Sequence, residues 1–220
     1  MSLFAYHRYN LCDCKQRISY SKVNLNDGID LAGVFEPADA KYLATIKNEW
    51  RTNGINTDSF KIEAQYNYSP GRKMSIIKHF SNGEQHYGGL IFPKSFDGNK
   101  QYPLMVWTEG LNQADPSVNL QNSTIKKMIS RSSDSFLLIP SYRGQALVAR
   151  QIRYCSDGFF GDAYDGATDD ALRLLELVKK DVKGIDKSRV SVIGVSRGGT
   201  VALLMGARDS TIRCIESIAG

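Results

Sequence analysis

Apolar and polar side chains alternate in residues 60–68, where every second residue is apolar or aromatic. A period of two over this length is typical of a β-strand with one buried face. Turn signals, Ser-Pro-Gly at 69–71 and Asn-Gly at 82–83, separate this strand from two further strand patterns at 74–80 and 86–92. The pattern therefore predicts an antiparallel lead-in of three strands.

The pattern changes after residue 103, where continuous apolar runs replace the alternation. Four such runs predict strands that are buried on both faces, at 104–107, 136–139, 190–195 and 212–219. Three segments with helical patterns lie among them, at 119–130, 167–182 and 198–207. This order predicts an α/β fold with a mostly parallel sheet, right-handed crossovers and helices on both faces.

The first part of the chain carries a weaker pattern. We interpret residues 1–59 as an N-terminal segment of unknown role and residues 60–220 as the α/β domain. Pro37 suits the first turn of a helix, and residues 38–50 have helical periodicity. The apolar side chains of this helix fall on one face, which predicts packing against the domain: Tyr42, Leu43, Ile46 and Trp50.

The composition is that of a folded globular protein: of 220 residues, 42% are hydrophobic and 23% are charged. The formal net charge is +5, but Lys and Arg are scattered, which argues against nucleic-acid binding. No stretch approaches the roughly 20 apolar residues of a membrane-spanning helix. Residues 1–15 do not resemble a signal peptide, which favours a cytoplasmic location. The oligomeric state stays open.

The cysteine spacing does not indicate a metal site. The chain contains Cys12, Cys14, Cys155 and Cys214. One residue separates the first two, which is not a usual zinc-ligand spacing, and no His/Cys pair follows them. We therefore expect no metal site and expect free thiols, as in a reducing compartment. The function hypotheses given below imply no organic cofactor either.

One short motif indicates catalytic chemistry. Gly194, Ser196 and Gly198 form a Gly-x-Ser-x-Gly sequence between a predicted buried strand and a predicted apolar helix, followed by Gly199. This strand-turn-helix setting is that of a nucleophile elbow, in which side chains at the glycine positions would crowd a strained turn. The backbone N–H of Arg197, at the start of the helix, is then the expected first oxyanion donor. The alternative is a tight turn with an inert serine.

A nucleophilic serine needs a general base, and the sequence offers no clear candidate. In a fold with this elbow the acid and the histidine follow the serine, but only Asp209 and Glu216 follow Ser196. Asp209 comes one strand before the position expected for the triad acid, and Glu216 lies inside the last predicted strand. All the histidines precede the motif: His7, His79 and His86. We expect His79 and His86 to be hydrogen-bonded or surface residues of the lead-in strands.

The part of the chain from about residue 60 to 220 resembles the catalytic domain of the prolyl oligopeptidase-like serine hydrolases. It is also similar to the related dienelactone-hydrolase and acetyl-esterase branches. The segments that carry the resemblance are 88–93, 102–107, 140–144, 165–170, 185–190 and 194–199. The resemblance implies an α/β-hydrolase fold, with Arg143 and Asp169 tying a loop to a helix.

Two positions depart from the pattern of this family. Thr108-Glu109-Gly110 stands where the family usually has His-Gly. A second oxyanion donor is then expected from the backbone of Gly110 or Leu111. Arg197 follows the serine, where the peptidase branches more often have Tyr or Asn, which favours the esterase branch.

Three functions stay open at this point. The first is a serine-type peptidase that forms an acyl-enzyme on Ser196, and the second is a carboxylic ester hydrolase with the same nucleophile. The third is a non-catalytic protein that binds ligands in the same cleft. The expected substrate is a peptide or a small ester. The resemblance implies a triad acid and histidine beyond Gly220, so a chain that ends there is expected to be inactive.

Overall fold

Ten β-strands and four α-helices are assigned within residues 37–52, 60–81, 83–111 and 115–220, the part of the chain that the computed structural model describes. The strands are β1 (Phe60–Ser69), β2 (Arg72–Ser81), β3 (Glu84–Ile91), β4 (Tyr102–Thr108), β5 (Ser117–Asn119), β6 (Phe136–Ser141), β7 (Ala146–Ala149), β8 (Ile152–Cys155), β9 (Ile185–Val195) and β10 (Ile212–Ile218). The helices are α1 (Ala40–Thr52), α2 (Ser123–Arg131), α3 (Asp165–Asp181) and α4 (Arg197–Arg208).

Seven strands form one mixed sheet in the order β1-β2-β3-β6-β4-β9-β10. The strands β1, β2 and β3 pair antiparallel, and β3 also pairs antiparallel with β6. From β6 onward the sheet is parallel, through β4 and β9 to β10. The predicted antiparallel lead-in and the predicted parallel arrangement are both confirmed, and the fold is of the α/β class.

Side chains on the two faces of the parallel strands enter separate cores. Val106 and Val192 point into the core that α3 and α4 cover, whereas Trp107 points into the core beside α2. Burying one such side chain stabilises the fold by roughly 1.5–3 kcal/mol. Both faces of the sheet are therefore covered by buried side chains. The carboxyl ends of the parallel strands β4, β6 and β9 lie at the same end of the sheet.

The structure differs from the predicted elements around residue 120. The helix that the pattern places at 119–130 begins at Ser123, because Asn122 caps it through a 2.7 Å hydrogen bond from the Ile125 N–H to Oδ1. Asn119 belongs instead to β5, which pairs with β7, and β7 pairs with β8. These three strands contain only three or four residues each, too few for a periodic pattern to reveal them.

Helix α1 packs against the domain through its C-terminal end. The predicted apolar face is only partly buried, since Ile46 and Trp50 are half-buried whereas Tyr42 and Leu43 are exposed. The indole N–H of Trp50 donates to the carboxylate of Asp165 at the start of α3, over 3.2 Å. The interpretation of α1 as a packing helix thus holds for its last turns.

Cys155 is disulfide-bonded, so the expectation of free thiols is wrong for this residue. Cys214 is free and exposed, while Cys12 and Cys14 lie outside the described residues. The argument from thiols to a reducing compartment therefore loses its basis. Within the described part of the chain, no helix has the length and apolar character required to cross a membrane.

His79 and His86 are buried, so the expectation that they could be surface residues is wrong, and neither ring is hydrogen-bonded through Nδ1 to a residue that the structure describes. Both are 1% exposed, and their rings lie side by side with centroids 5.5 Å apart. Among the described residues, Nδ1 of neither ring has a hydrogen-bond partner, although the His86 Nδ1 lies 3.8 Å from the Asp170 carboxylate. Burial lowers the pKa of His79 to about 3, and burial also lowers the pKa of His86.

These lowered pKa values predict a loss of stability in mild acid. The unfolded chain protonates each histidine below about pH 6.5, whereas the folded chain, in which both pKa values are lowered, protonates each of them only at a lower pH. Stability is therefore complete above that pH and falls as the pH drops, by up to about 1.4 kcal/mol per pH unit for each histidine. Urea denaturation between about pH 7 and pH 5 measures this slope. His79→Phe should make the slope shallower, and an unchanged slope would contradict the prediction.

Candidate active site

Ser196 lies in the turn between the last residue of β9 and the first residue of α4. Its backbone has φ +53° and ψ −127°, a region that non-glycine residues rarely occupy and that costs about 1–3 kcal/mol. The Ser196 N–H donates to the carbonyl of Ile218 in β10, over 2.8 Å, which holds the turn against the neighbouring strand. The residue is exposed. The predicted elbow geometry is therefore present.

The glycines of the motif are required by close backbone approaches. A Cβ on Gly194 would lie 2.0 Å from the carbonyl oxygen of Gly198, and a Cβ on Gly198 would lie 2.0 Å from the carbonyl oxygen of Thr108. A Cβ on Gly199 would lie 2.7 Å from the Ser217 hydroxyl. The first two contacts involve backbone atoms, which cannot rotate away, so these positions admit only glycine without a shift of β4 or α4.

Thr108, the last residue of β4, connects this strand to α4, the helix that follows Ser196. Its hydroxyl lies 2.8 Å from the carbonyl oxygen of Gly198 and 3.2 Å from that of Ile193, and the side chain is fully buried. A hydroxyl has one proton to donate, and the shorter contact assigns it to Gly198. From the sequence, Thr108 is recognised only as a departure from the family pattern. The signal that could have identified Thr108 is its position directly after the predicted buried strand 104–107 and two residues before Gly110.

The predicted oxyanion donors are backbone N–H groups of residues near Ser196 in the sequence or in the fold. Arg197 is the first residue of α4, so no carbonyl within the helix can accept its N–H, and the positive end of the helix dipole lies there. Gly110 follows β4 and lies directly against the elbow, since a Cβ on it would be 3.5 Å from Cβ of Ser196. Leu111 comes next, and it is half-buried. The structure thus places the backbone of Arg197 and Gly110 beside Ser196.

The Tyr-Arg-Gly loop after β6 is fixed to α3 by a buried ion pair. The guanidinium of Arg143 binds Asp170 through two hydrogen bonds of 3.0 and 2.9 Å, and the Arg143 backbone N–H donates to the same carboxylate. The expected link between loop and helix exists, but Asp170 makes it instead of Asp169. Asp169 pairs with Arg208 of α4.

No histidine among the described residues is within reach of Ser196. His79 and His86 lie on β2 and β3, and β3 is three strand spacings, about 14 Å, from β9. Asp209 is engaged elsewhere, with its carboxylate 3.2 Å from the Lys179 ammonium. Burial alone would raise the pKa of Asp209, but hydrogen bonds from Thr211 and the charge of Lys179 lower it. Within the described ranges, no three His, Cys, Asp or Glu side chains are grouped to hold a metal ion.

Comparison with known families decides the classification. The sequence model of the Esterase family, described as "Putative esterase", matches residues 82–212, which is more than half of the chain. The chain belongs to the Esterase family. The matched residues run from the lead-in strands through the elbow to β10. None of the curated protein sequences matches the chain.

Solved structures show the same fold at low sequence identity. An acetyl xylan esterase from Paenibacillus sp. R4 is 15% identical with a TM-score of 0.58, over 86% of this chain and 63% of that one. Acetyl xylan esterase 1 from Thermoanaerobacterium sp. JW/SL YS485 is 18% identical with a TM-score of 0.53, over 80% of this chain and 56% of that one. A dipeptidyl aminopeptidase IV-like protein from Bacteroides ovatus ATCC 8483 is 17% identical with a TM-score of 0.53, over 68% of this chain and 21% of that one. The fold is the α/β-hydrolase fold, and the chain spans less than two thirds of each of these proteins.

Proposed function

We propose that this protein is a carboxylic ester hydrolase in which Ser196 forms a covalent acyl-enzyme. The observation that carries the proposal is the position of Ser196, exposed and at φ +53° between β9 and the N-terminus of α4. A serine held in this strained turn presents its hydroxyl above the sheet, as a nucleophile elbow requires. Membership of the Esterase family supports the same class of reaction.

The reaction follows from the geometry of the elbow. Oγ of Ser196 attacks the ester carbonyl carbon while a general base takes its proton. The carbonyl oxygen becomes an oxyanion and accepts hydrogen bonds from the Arg197 N–H and from the loop at 110–111. The bond to the alkoxy oxygen then breaks, and the alcohol leaves with that proton. Water attacks the acyl-enzyme by the same route, which releases the carboxylic acid and restores the serine.

The base in this scheme is a group outside the described residues. His79 and His86 are buried on lead-in strands, and their lowered pKa values make them poor proton acceptors. Activity is therefore to be measured on the protein as the cell produces it. The sequence-based expectation that a chain ending at Gly220 is inactive stays a prediction.

Ester hydrolysis has better support than peptide hydrolysis, which the sequence analysis placed first. The family match and the two acetyl xylan esterases agree with the ester alternative. The peptidase-like neighbour shares the fold, but the chain spans only 21% of it. Membership of the prolyl oligopeptidase family therefore stays a hypothesis within the α/β-hydrolases, and a small acyl ester is the proposed substrate class.

A fluorophosphonate probe with a panel of substrates tests the proposal. We expect the probe to label one serine, identified by peptide mass spectrometry as Ser196. We expect turnover of an aryl acetate, with acetylated xylan as a polymeric ester in the same panel, and little turnover of a prolyl anilide. Cleavage of the anilide at a similar kcat/KM would favour the peptidase. A chain that is neither labelled nor active would contradict the proposal and support a non-catalytic role.

A further inference from the structure

The guanidinium of Arg197 lies in a buried position beside the loop that follows β4. The residue is 4% exposed. One terminal nitrogen, Nη2, donates to the carbonyl oxygen of Gly110 over 3.4 Å, and the central carbon lies 4.8 Å from the centre of the Tyr142 ring. A guanidinium is planar and donates along its edge while its face stacks on an aromatic ring. The two contacts therefore restrain the position of the guanidinium and the direction in which Nη2 donates.

The ring on which Arg197 stacks is itself held in place. Tyr142 is 1% exposed, and the N–H of Gln145 donates to its carbonyl over 3.0 Å. The next residue, Arg143, is bound to Asp170 of α3 through its side chain and its backbone N–H. The support under the Arg197 guanidinium is therefore a loop anchored to the core.

The contact with Gly110 orients one peptide unit. The carbonyl of residue 110 and the N–H of residue 111 belong to the same planar trans peptide, so they point in opposite directions. The Arg197 guanidinium is buried, whereas Ser196 is exposed. Because the Gly110 carbonyl points toward the guanidinium, the Leu111 N–H points away from it.

We infer that Arg197 is a positioning residue that selects Leu111, and not Gly110, as the second oxyanion donor. The backbone N–H of Arg197 is the first donor, and its side chain aims the second. Arg197, directly after the nucleophile, thus donates one hydrogen bond to the oxyanion and orients the donor of the other. This inference rests on the proposed acyl-enzyme chemistry and deepens it.

A restraint on this peptide is needed because residue 110 is glycine. Glycine turns freely between backbone conformations, so the peptide after Gly110 could flip and direct its carbonyl oxygen at the substrate. That oxygen would repel the developing oxyanion where an N–H should stabilise it. The guanidinium opposes the flip because it binds the carbonyl oxygen on the buried side.

A crystal structure of the fluorophosphonate adduct of the full-length protein tests the assignment directly. We expect the phosphoryl oxygen, which stands in for the oxyanion, to accept hydrogen bonds from the N–H groups of Arg197 and Leu111. The Gly110 carbonyl should remain on the Arg197 guanidinium. An adduct in which the Gly110 N–H binds the phosphoryl oxygen would overturn this inference while leaving the proposed function standing. Failure of Ser196 to form any adduct would overturn both.

Kinetics of Arg197→Met provide the second test, with Arg208→Met as the matched control. Arg208 is also a buried arginine, 5.4 Å from the centre of an aromatic ring, that of Trp50, but it lies at the far end of α4. We expect Arg197→Met to lower kcat by roughly 10²-fold, as misplaced catalytic groups do, with KM nearly unchanged. Arg197→Lys should recover part of kcat, and Arg208→Met should retain all of it. If Arg197→Met keeps kcat within about threefold of wild type, the inference is wrong. If it does not fold, the adduct structure decides.

Discussion

Replacing Ser196 by alanine or by glycine should abolish ester hydrolysis in both variants but change stability in only one. Loss of the nucleophile should lower kcat by about 10³-fold or more. The strained φ of +53° persists in the alanine variant, whereas glycine adopts it without strain. Ser196→Gly should therefore raise the free energy of unfolding by about 1 kcal/mol, and Ser196→Ala should leave it within about 0.5 kcal/mol of wild type.

Thermal unfolding and turnover of an aryl acetate, measured on the same preparations, check both halves of this prediction. A gain of 1 kcal/mol corresponds to about 2–4 °C in Tm for a domain of this size. If the alanine variant still hydrolyses esters, Ser196 is not the nucleophile. If the glycine variant is no more stable than the alanine variant, the turn stores no strain, and Ser196 needs another explanation for its conformation.

The elbow could be predicted from sequence because its signals are local. Gly194 and Gly198 flank the serine at a fixed spacing, and the apolar run before them and the helix after them are contiguous in the chain. The same holds for the parallel strands and the helices between them from residue 103 onward, but not for the short strands β5, β7 and β8. Local pattern and tertiary structure agree here, which is why the predicted end of β9 and both predicted ends of α4 lie within one residue of the observed ones, although β9 begins five residues earlier than predicted.

The features that sequence could not supply depend on contacts between distant segments. Asp169 and Asp170 are adjacent, and only the rotation of α3 decides that Asp170 faces Arg143. The stack of Arg197 on Tyr142 joins residues 55 positions apart in the numbering. The disulfide of Cys155 likewise leaves no mark in the spacing of the cysteines. Periodicity shows which face of an element is buried, but not which neighbour it meets there.

Gly198→Ala should be among the most destabilising single substitutions in this protein, although it adds only one methyl group. The new Cβ would lie 2.0 Å from the carbonyl oxygen of Thr108 and 2.8 Å from that of Glu109. Both are backbone atoms, so β4 and its loop would have to move away from α4. That movement would also break the hydrogen bond from the Thr108 hydroxyl to Gly198. We expect a loss of about 3 kcal/mol or more in the free energy of unfolding.

Gly206→Ala is the matched control, because it is the same substitution in the same helix with an equally short contact. Its Cβ would lie 1.9 Å from Cδ1 of Ile215, the end of a flexible side chain that is 39% exposed and can rotate away. Alanine also favours the helix over glycine by up to about 1 kcal/mol, so the net change should be small. Urea midpoints of the two variants give the comparison. Equal losses would contradict the argument, since distance alone would then set the effect. A severe loss at residue 198 alone would mean that the elbow requires glycine because backbone, and not side chains, surrounds it.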